Sequence, residues 1–138
     1  AARGLHGESR TVFLPRAEHG DYLRVNALCD AMLDTLHWSG GNTSLDAFAA
    51  GLPLVTLPGR FMRGRQSFAM LRLAGLEELV ARDEEEYVRL ATRLATDREW
   101  RETMAARVRA GAERIFDDPA PVAALESFLA TLAAAPRD

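Results

Sequence analysis

The chain has 138 residues, of which 48% are hydrophobic and 27% charged, with a formal net charge of −3. This composition is typical of one globular domain, and no apolar run approaches the roughly 18 residues that a membrane span needs. The acidic balance argues against nucleic acid as the main partner, although all 17 basic residues are arginine. A single cysteine excludes a disulfide framework. Because the N-terminus lacks the apolar core of a signal peptide, we expect a cytoplasmic protein.

Short apolar runs alternate with helix-like segments along residues 1–82. Each gap between the runs shows apolar residues at helical spacing. Strands that alternate with single helices predict right-handed crossovers and a parallel sheet covered on both faces. The sequence therefore predicts an α/β, Rossmann-like architecture, with strands at TVFL (11–14), AML (31–33), LVTL (54–57) and ELVA (78–81).

From residue 83 onward the pattern becomes purely helical. One helical period is marked by Tyr87, Leu90, Ala91 and Leu94. A second is marked by Trp100, Met104, Val108, Ala112 and Ile115, and an amphipathic segment follows the break at DDPAP. We treat residues 1–138 as one domain, with a βαβ core in 1–82 and a helical part in 83–138. Because AARGL (1–5) is typical of the end of a helix, we expect the chain to be part of a longer protein. The apolar face of the last segment comprises Val122, Leu125, Leu129 and Leu132.

The segment HWSGGNTSLDAFAAG (37–51) joins the second predicted strand to a helix through two adjacent glycines. The first N–H groups of a helix lack intrahelical partners and attract anions, phosphate above all. Gly40 and Gly41 leave room for such a ligand, and Asn42, Thr43 and Ser44 add donors around it. The alternative is a purely structural turn, with Asn42 or Thr43 as the N-cap.

Three arginines in the next loop favour the ligand interpretation. Arg60, Arg63 and Arg65 lie at the start of a predicted helix, where the helix dipole disfavours cations. An anion bound beyond the carboxyl ends of the strands would explain them, whereas surface arginines without a function are the alternative. Trp38, beside the glycines, either stacks on a ligand ring or packs under the turn.

Other chemistries have little support in the residues. The three histidines lack metal-ligand spacing, and no Asp-x-Asp pair is present to hold a divalent ion on a diphosphate. We therefore expect neither a metal nor a cofactor. Cys29 follows an apolar residue on a predicted helix, and we expect it to be buried.

The ordered series LDT, GGNTSLDAFAAGLPLVTLPG, RGRQ, GLEELVA and EEYVRLATRLATD resembles the C-terminal catalytic region of the O-GlcNAc-transferase-type glycosyltransferases, particularly their bacterial members. The similarity covers roughly residues 10–115. It implies a GT-B fold, with a UDP-sugar between two Rossmann-like halves, and inverting, metal-independent transfer of GlcNAc or a related sugar to Ser or Thr of proteins. This chain would be the donor-binding C-terminal half, following an N-terminal catalytic half and tetratricopeptide repeats.

The resemblance also implies roles for particular residues. Asp46 would bond the ribose hydroxyls, whereas Ala17 and His19 would lie along the uracil. An alternative for Asp46 is a capping box with Thr43 that serves only the helix. No catalytic residue is expected within this chain. The residues expected around the diphosphate are Gly40, Gly41, Asn42, Thr43 and Arg65, with Ser44, Arg60, Arg63 and Trp38 as further candidates.

The chain departs from the eukaryotic members of this family at the glycine turn. They carry His-Thr-Thr where this chain has Gly41, Asn42 and Thr43, so backbone amides must contribute more to phosphate binding here.

Two other functions fit the same residues. One is a GT-B enzyme with a lipid or glycan acceptor, or a sugar-nucleotide epimerase; the other is a non-catalytic docking module.

Overall fold

The computed structural model describes residues 11–134. This range contains six α-helices and two short strands. The predicted helix end at residues 1–5 lies outside the described residues. The elements are α1 (His19–Leu28), β1 (Met32–Leu33), α2 (Asn42–Ala49), β2 (Leu54–Val55), α3 (Gln66–Ala74), α4 (Glu84–Thr96), α5 (Arg98–Ala112) and α6 (Ala120–Ala134), with short 3-10 helices at Met62–Gly64 and Glu77–Leu79.

The two strands are parallel, as the sequence predicts. Met32 lies opposite Leu54, and Leu33 lies opposite Val55. Beyond β2, Thr56 forms a parallel bridge with Val80. Three of the four predicted strand segments therefore lie side by side in chain order, although regular pairing covers only two residues in each strand.

The prediction of a strand at residues 11–14 is wrong. No strand forms there, and the side chains of Val12 and Phe13 are 81% and 92% exposed. A β-strand needs a neighbouring chain for its backbone N–H and C=O groups, and no described segment forms backbone hydrogen bonds with this one. The prediction of a buried Cys29 is also wrong, because this residue ends α1 on the surface.

The core lies between the sheet and helices α2 to α5. Helix α3 ends at Gly75, whose φ of 71° suits glycine. Helix α5 approaches α3 so closely that a Cβ on Gly111 would lie 2.9 Å from the carbonyl oxygen of Ala74. This contact fixes the position of α3 against α5. The buried apolar residues include Ala47, Phe48, Leu52, Leu54, Val55, Leu71, Leu76, Leu79, Leu90, Leu94, Met104 and Val108.

The helices predicted after residue 83 are present and begin at aspartate caps. Asp83 accepts a hydrogen bond from the N–H of Glu86 at 2.7 Å, and Asp97 accepts one from the N–H of Trp100 at 3.0 Å. Each cap satisfies one unpaired amide in the first turn. The acidic run DEEE therefore spans the cap and first turn of α4, where negative charge suits the dipole.

Helix α6 forms where an amphipathic segment is predicted, but its apolar residues are not buried. Leu125, Leu129 and Leu132 keep 57%, 52% and 56% of their surface exposed. Among residues 11–134, no helix has both the length and the apolar character needed to cross a membrane.

Candidate functional site

The loops that follow β1 and β2 meet at the carboxyl ends of the strands. The N–H of Ser39 donates to the carbonyl of Arg63 at 2.7 Å, and the N–H of Gly59 donates to the carbonyl of Gly64 at 2.8 Å. Helices α2 and α3 both begin at this edge. In parallel α/β sheets, ligands bind in the crevice beyond this end of the strands.

The N-terminus of α2 is not capped by any side chain. Gly41 is the N-cap residue, and within residues 11–134 the amides of Asn42 and Thr43 have no protein acceptor. The alternative in which Asn42 or Thr43 caps the helix is therefore wrong. The capping box that would involve Asp46 is not formed either. An uncapped helix start of this kind favours an anion.

The glycine turn is tightly packed on its protein side. A Cβ on Gly40 would clash with Oγ of Ser44. A Cβ on Gly41 would lie 2.7 Å from Oε1 of Gln66, a residue that the sequence predictions did not include in the site. Ser44, a predicted phosphate donor, is instead buried, and its hydroxyl lies 2.8 Å from Oγ of Ser67. Ser44 thus binds the protein itself.

A buried carboxylate beneath the turn was missed by sequence reasoning. Oδ1 of Asp34 accepts from the N–H groups of Thr35 (3.0 Å) and Gly40 (2.7 Å). Oδ2 accepts from the hydroxyls of Ser39 (2.8 Å) and Thr56 (2.6 Å). The available signal was an aspartate that directly follows a strand in the LDT motif. These bonds tie the turn to the ends of both strands.

Tyr87 of α4 packs against the same position. Its hydroxyl donates to the backbone carbonyl of Asp34 at 2.6 Å. Burial raises the pKa of the Tyr87 phenol above its ordinary value, and the nearby Asp34 carboxylate adds to this effect. The raised pKa therefore extends to higher pH the range over which the Tyr87 hydroxyl is protonated and donates to Asp34.

The two side chains predicted to contact the nucleoside, His19 and Asp46, lie together in the structure. Nε2 of His19 is 3.3 Å from Oδ1 of Asp46, with the histidine side chain 69% exposed and the aspartate side chain 18% exposed. This pair joins the start of α1 to the first turns of α2. Ala17 lies exposed just before α1.

The three loop arginines differ in their surroundings. Arg65 donates to the carbonyl of Gly59 at 3.0 Å, and its guanidinium stacks 4.6 Å from the ring centroid of Phe68. Arg63 lies over the ring of Phe61 at 4.9 Å, and Arg60 is exposed. Arg65 thus has a structural role in addition to any contact with an anion.

Trp38 beside the glycines is 68% exposed. The alternative in which it packs under the turn is therefore wrong, and its ring is available to a partner. Among the described residues, no group of His, Cys, Asp or Glu side chains is arranged to hold a metal ion.

Parallel strands with helices that begin at their carboxyl edge are typical of α/β proteins. The sequence model that represents glycosyltransferase family 41 matches residues 1–117. The chain belongs to glycosyltransferase family 41.

Named relatives agree with this family. The chain is 38% identical over 106 residues to the UDP-N-acetylglucosamine–peptide N-acetylglucosaminyltransferase of Caenorhabditis elegans, covering 77% of this chain and 9% of that protein. It is 38% identical over 77 residues to a probable enzyme of the same name, SPINDLY of Petunia hybrida, covering 56% of this chain and 8% of that protein. The chain therefore spans about a tenth of the length of these curated relatives.

A solved structure shows the same fold. A mutant O-GlcNAc transferase of Thermobaculum terrenum superposes with a TM-score of 0.82 and 37% identity, covering 92% of this chain and 25% of that protein. The arrangement of the strands and helices therefore matches one part of a larger enzyme.

Proposed function

We propose that the chain is the UDP-binding portion of a glycosyltransferase that transfers GlcNAc or a related sugar from a UDP-sugar to Ser or Thr of proteins. The observation that carries the proposal is the uncapped start of α2, with Asp46 and His19 paired close to it. The family and the peptide N-acetylglucosaminyltransferase relatives support a protein acceptor.

Each part of the proposed site has a definite role. The free amides of Asn42 and Thr43 bind the diphosphate, because a helix start combines unpaired N–H groups with a favourable dipole. The carboxylate of Asp46 accepts hydrogen bonds from the ribose hydroxyls. His19, released from Asp46, lies with Ala17 along the uracil, and Arg65 adds positive potential beside the phosphates.

The chain makes only part of the proposed reaction site. Because it covers 25% of the similar bacterial structure, we assign the acceptor site, the catalytic residues and the other half of a GT-B cleft to further parts of a longer enzyme. Metal-independent inverting chemistry, upstream tetratricopeptide repeats and a cytoplasmic location belong to the same proposal.

A calorimetric titration of UDP into the chain tests the proposal. We expect UDP to bind equally well with magnesium and with EDTA, and uridine to bind more weakly because it lacks the phosphates. Lack of UDP binding under both conditions would contradict the nucleotide-binding role. Binding that requires magnesium or manganese would instead contradict the metal-independent mechanism.

A further inference from the structure

Gly40 is held through both of its polar backbone groups, which belong to the two peptides on either side of it. The N–H of Gly40 donates to Oδ1 of Asp34 at 2.7 Å, and the carbonyl of Gly40 accepts from Oγ of Ser67 at 3.3 Å. Asp34 is 7% exposed, and Ser67 is fully buried. Both polar backbone groups of Gly40 therefore bind the interior of the protein.

This arrangement determines where the next amide points. In a trans peptide, the C=O of one residue and the N–H of the next point in opposite directions, and no peptide bond among residues 11–134 is cis. Because the Gly40 carbonyl faces Ser67, the N–H of Gly41 points away from it. That N–H has no acceptor within the described range and precedes the free amides of α2.

Two adjacent glycines would otherwise allow the peptide that joins Gly40 to Gly41 to flip, since neither residue has a Cβ to restrict its backbone. A flipped peptide would direct a carbonyl oxygen, rather than an N–H, toward a bound anion. Ser67 is itself held in place, because its N–H donates to Oγ of Ser39 at 2.9 Å and its hydroxyl contacts Oγ of Ser44. The cluster thus connects the starts of α2 and α3 to the glycine peptide.

Stability alone does not account for the carboxylate in this cluster. The four donors to Asp34 are all uncharged, and a buried charge without a cation carries a desolvation cost. Apolar residues of similar volume often stabilise a protein at least as much as buried charged groups do. A carboxylate differs from them in fixing the direction of the N–H groups around it.

We propose that Asp34 and Ser67 are positioning residues, which hold the peptides before and after Gly40 so that the Gly41 N–H is directed to the diphosphate before the nucleotide binds. This inference rests on the proposed UDP site. Its physical basis is preorganisation, because an amide that is already oriented avoids the cost of ordering on binding.

The test compares UDP with uridine, which shares the base and ribose but lacks the phosphates. For Ser67→Ala and Asp34→Asn, we expect UDP affinity to fall about tenfold, equivalent to about 1.4 kcal/mol, while uridine affinity changes less than about twofold. Thr56→Val is the matched control, because it removes a donor to the same carboxylate without touching Gly40. We expect this control to lower the melting temperature and leave the UDP-to-uridine affinity ratio unchanged.

Amide hydrogen exchange measured by NMR on the unmodified chain gives a second test that does not depend on variants folding. We expect the Gly40 amide to be protected, and the Gly41 amide to exchange rapidly and become protected by UDP but not by uridine. A Gly41 amide that is protected in the free chain, or an equal loss of both ligands in the two variants, would overturn the inference. If the unmodified chain binds uridine and UDP with equal affinity, or binds neither, the proposed diphosphate site is wrong and the inference falls with it.

Discussion

Replacing Asp46 with alanine distinguishes a ligand-binding residue from a structural one. Helix α2 has no side-chain cap, so the change removes no capping bond. It removes the contact with His19, in which Nε2 of His19 lies 3.3 Å from Oδ1 of Asp46 and the histidine side chain is 69% exposed. Exposed pairs contribute about 0–1 kcal/mol, so we expect the free energy of unfolding to fall by less than about 1 kcal/mol.

The expected effect on UDP binding is larger. Hydrogen bonds to a charged group contribute about 1.5–3 kcal/mol, which corresponds to roughly a tenfold to a hundredfold loss of affinity. His19→Ala removes the same contact but keeps the Asp46 carboxylate, so its effect on affinity should be smaller than that of Asp46→Ala. The assay is a thermal melt of each ligand-free protein paired with a UDP titration.

Asp21→Ala is the matched control, because Asp21 lies on a helix and pairs with Arg24 at 2.6 Å on the surface. We expect this variant to bind UDP normally. An Asp46→Ala protein that is destabilised by 2 kcal/mol or more and binds UDP with unchanged affinity would refute the assignment of this carboxylate to the ribose.

Three further predictions address packing, acid stability and the arginines. Gly111→Ala should destabilise the fold by about 1–3 kcal/mol, since its Cβ would meet backbone atoms of α3, whereas Gly20→Ala, with nothing within 4 Å of its Cβ, should stabilise α1 by about 0.5 kcal/mol. The hydrogen bond from Arg82 lowers the pKa of Glu86 to about 2; the stability it contributes is therefore present above the ordinary carboxyl pKa and is lost as pH falls toward 2. Arg65→Ala should weaken UDP binding about tenfold and also lower stability, because the hydrogen bond to the Gly59 carbonyl is lost.

Each of these predictions has a contrary outcome. Equal melting temperatures for the two glycine variants would contradict the close α3–α5 contact. NMR titration of the Glu86 carboxyl should give the low pKa, and Arg82→Ala should raise it; a normal pKa in the unmodified chain would contradict the ion pair. If UDP affinity is unaltered in the alanine variants of Arg60, Arg63 and Arg65, none of the three arginines contacts the ligand.

Local sequence signals predicted much of the fold. The helices after residue 83 follow from apolar periodicity, because this signal acts within one or two turns of chain. The parallel arrangement of residues 31–33, 54–57 and 78–81 follows from the spacing of apolar runs. Residues 11–14 have a similar composition but form no strand, since pairing depends on which segment lies alongside.

The sequence by itself determined that an apolar strand leads through two glycines into a helix, and that the family motifs lie in order along the chain. Only the tertiary structure decided what those glycines touch. Asp34 and Ser67 are 33 residues apart in the numbering, yet both bind Gly40, and His19 meets Asp46 across two helices. Such contacts depend on how helices α1, α2 and α3 pack at the strand ends, and no local pattern of residues encodes that packing.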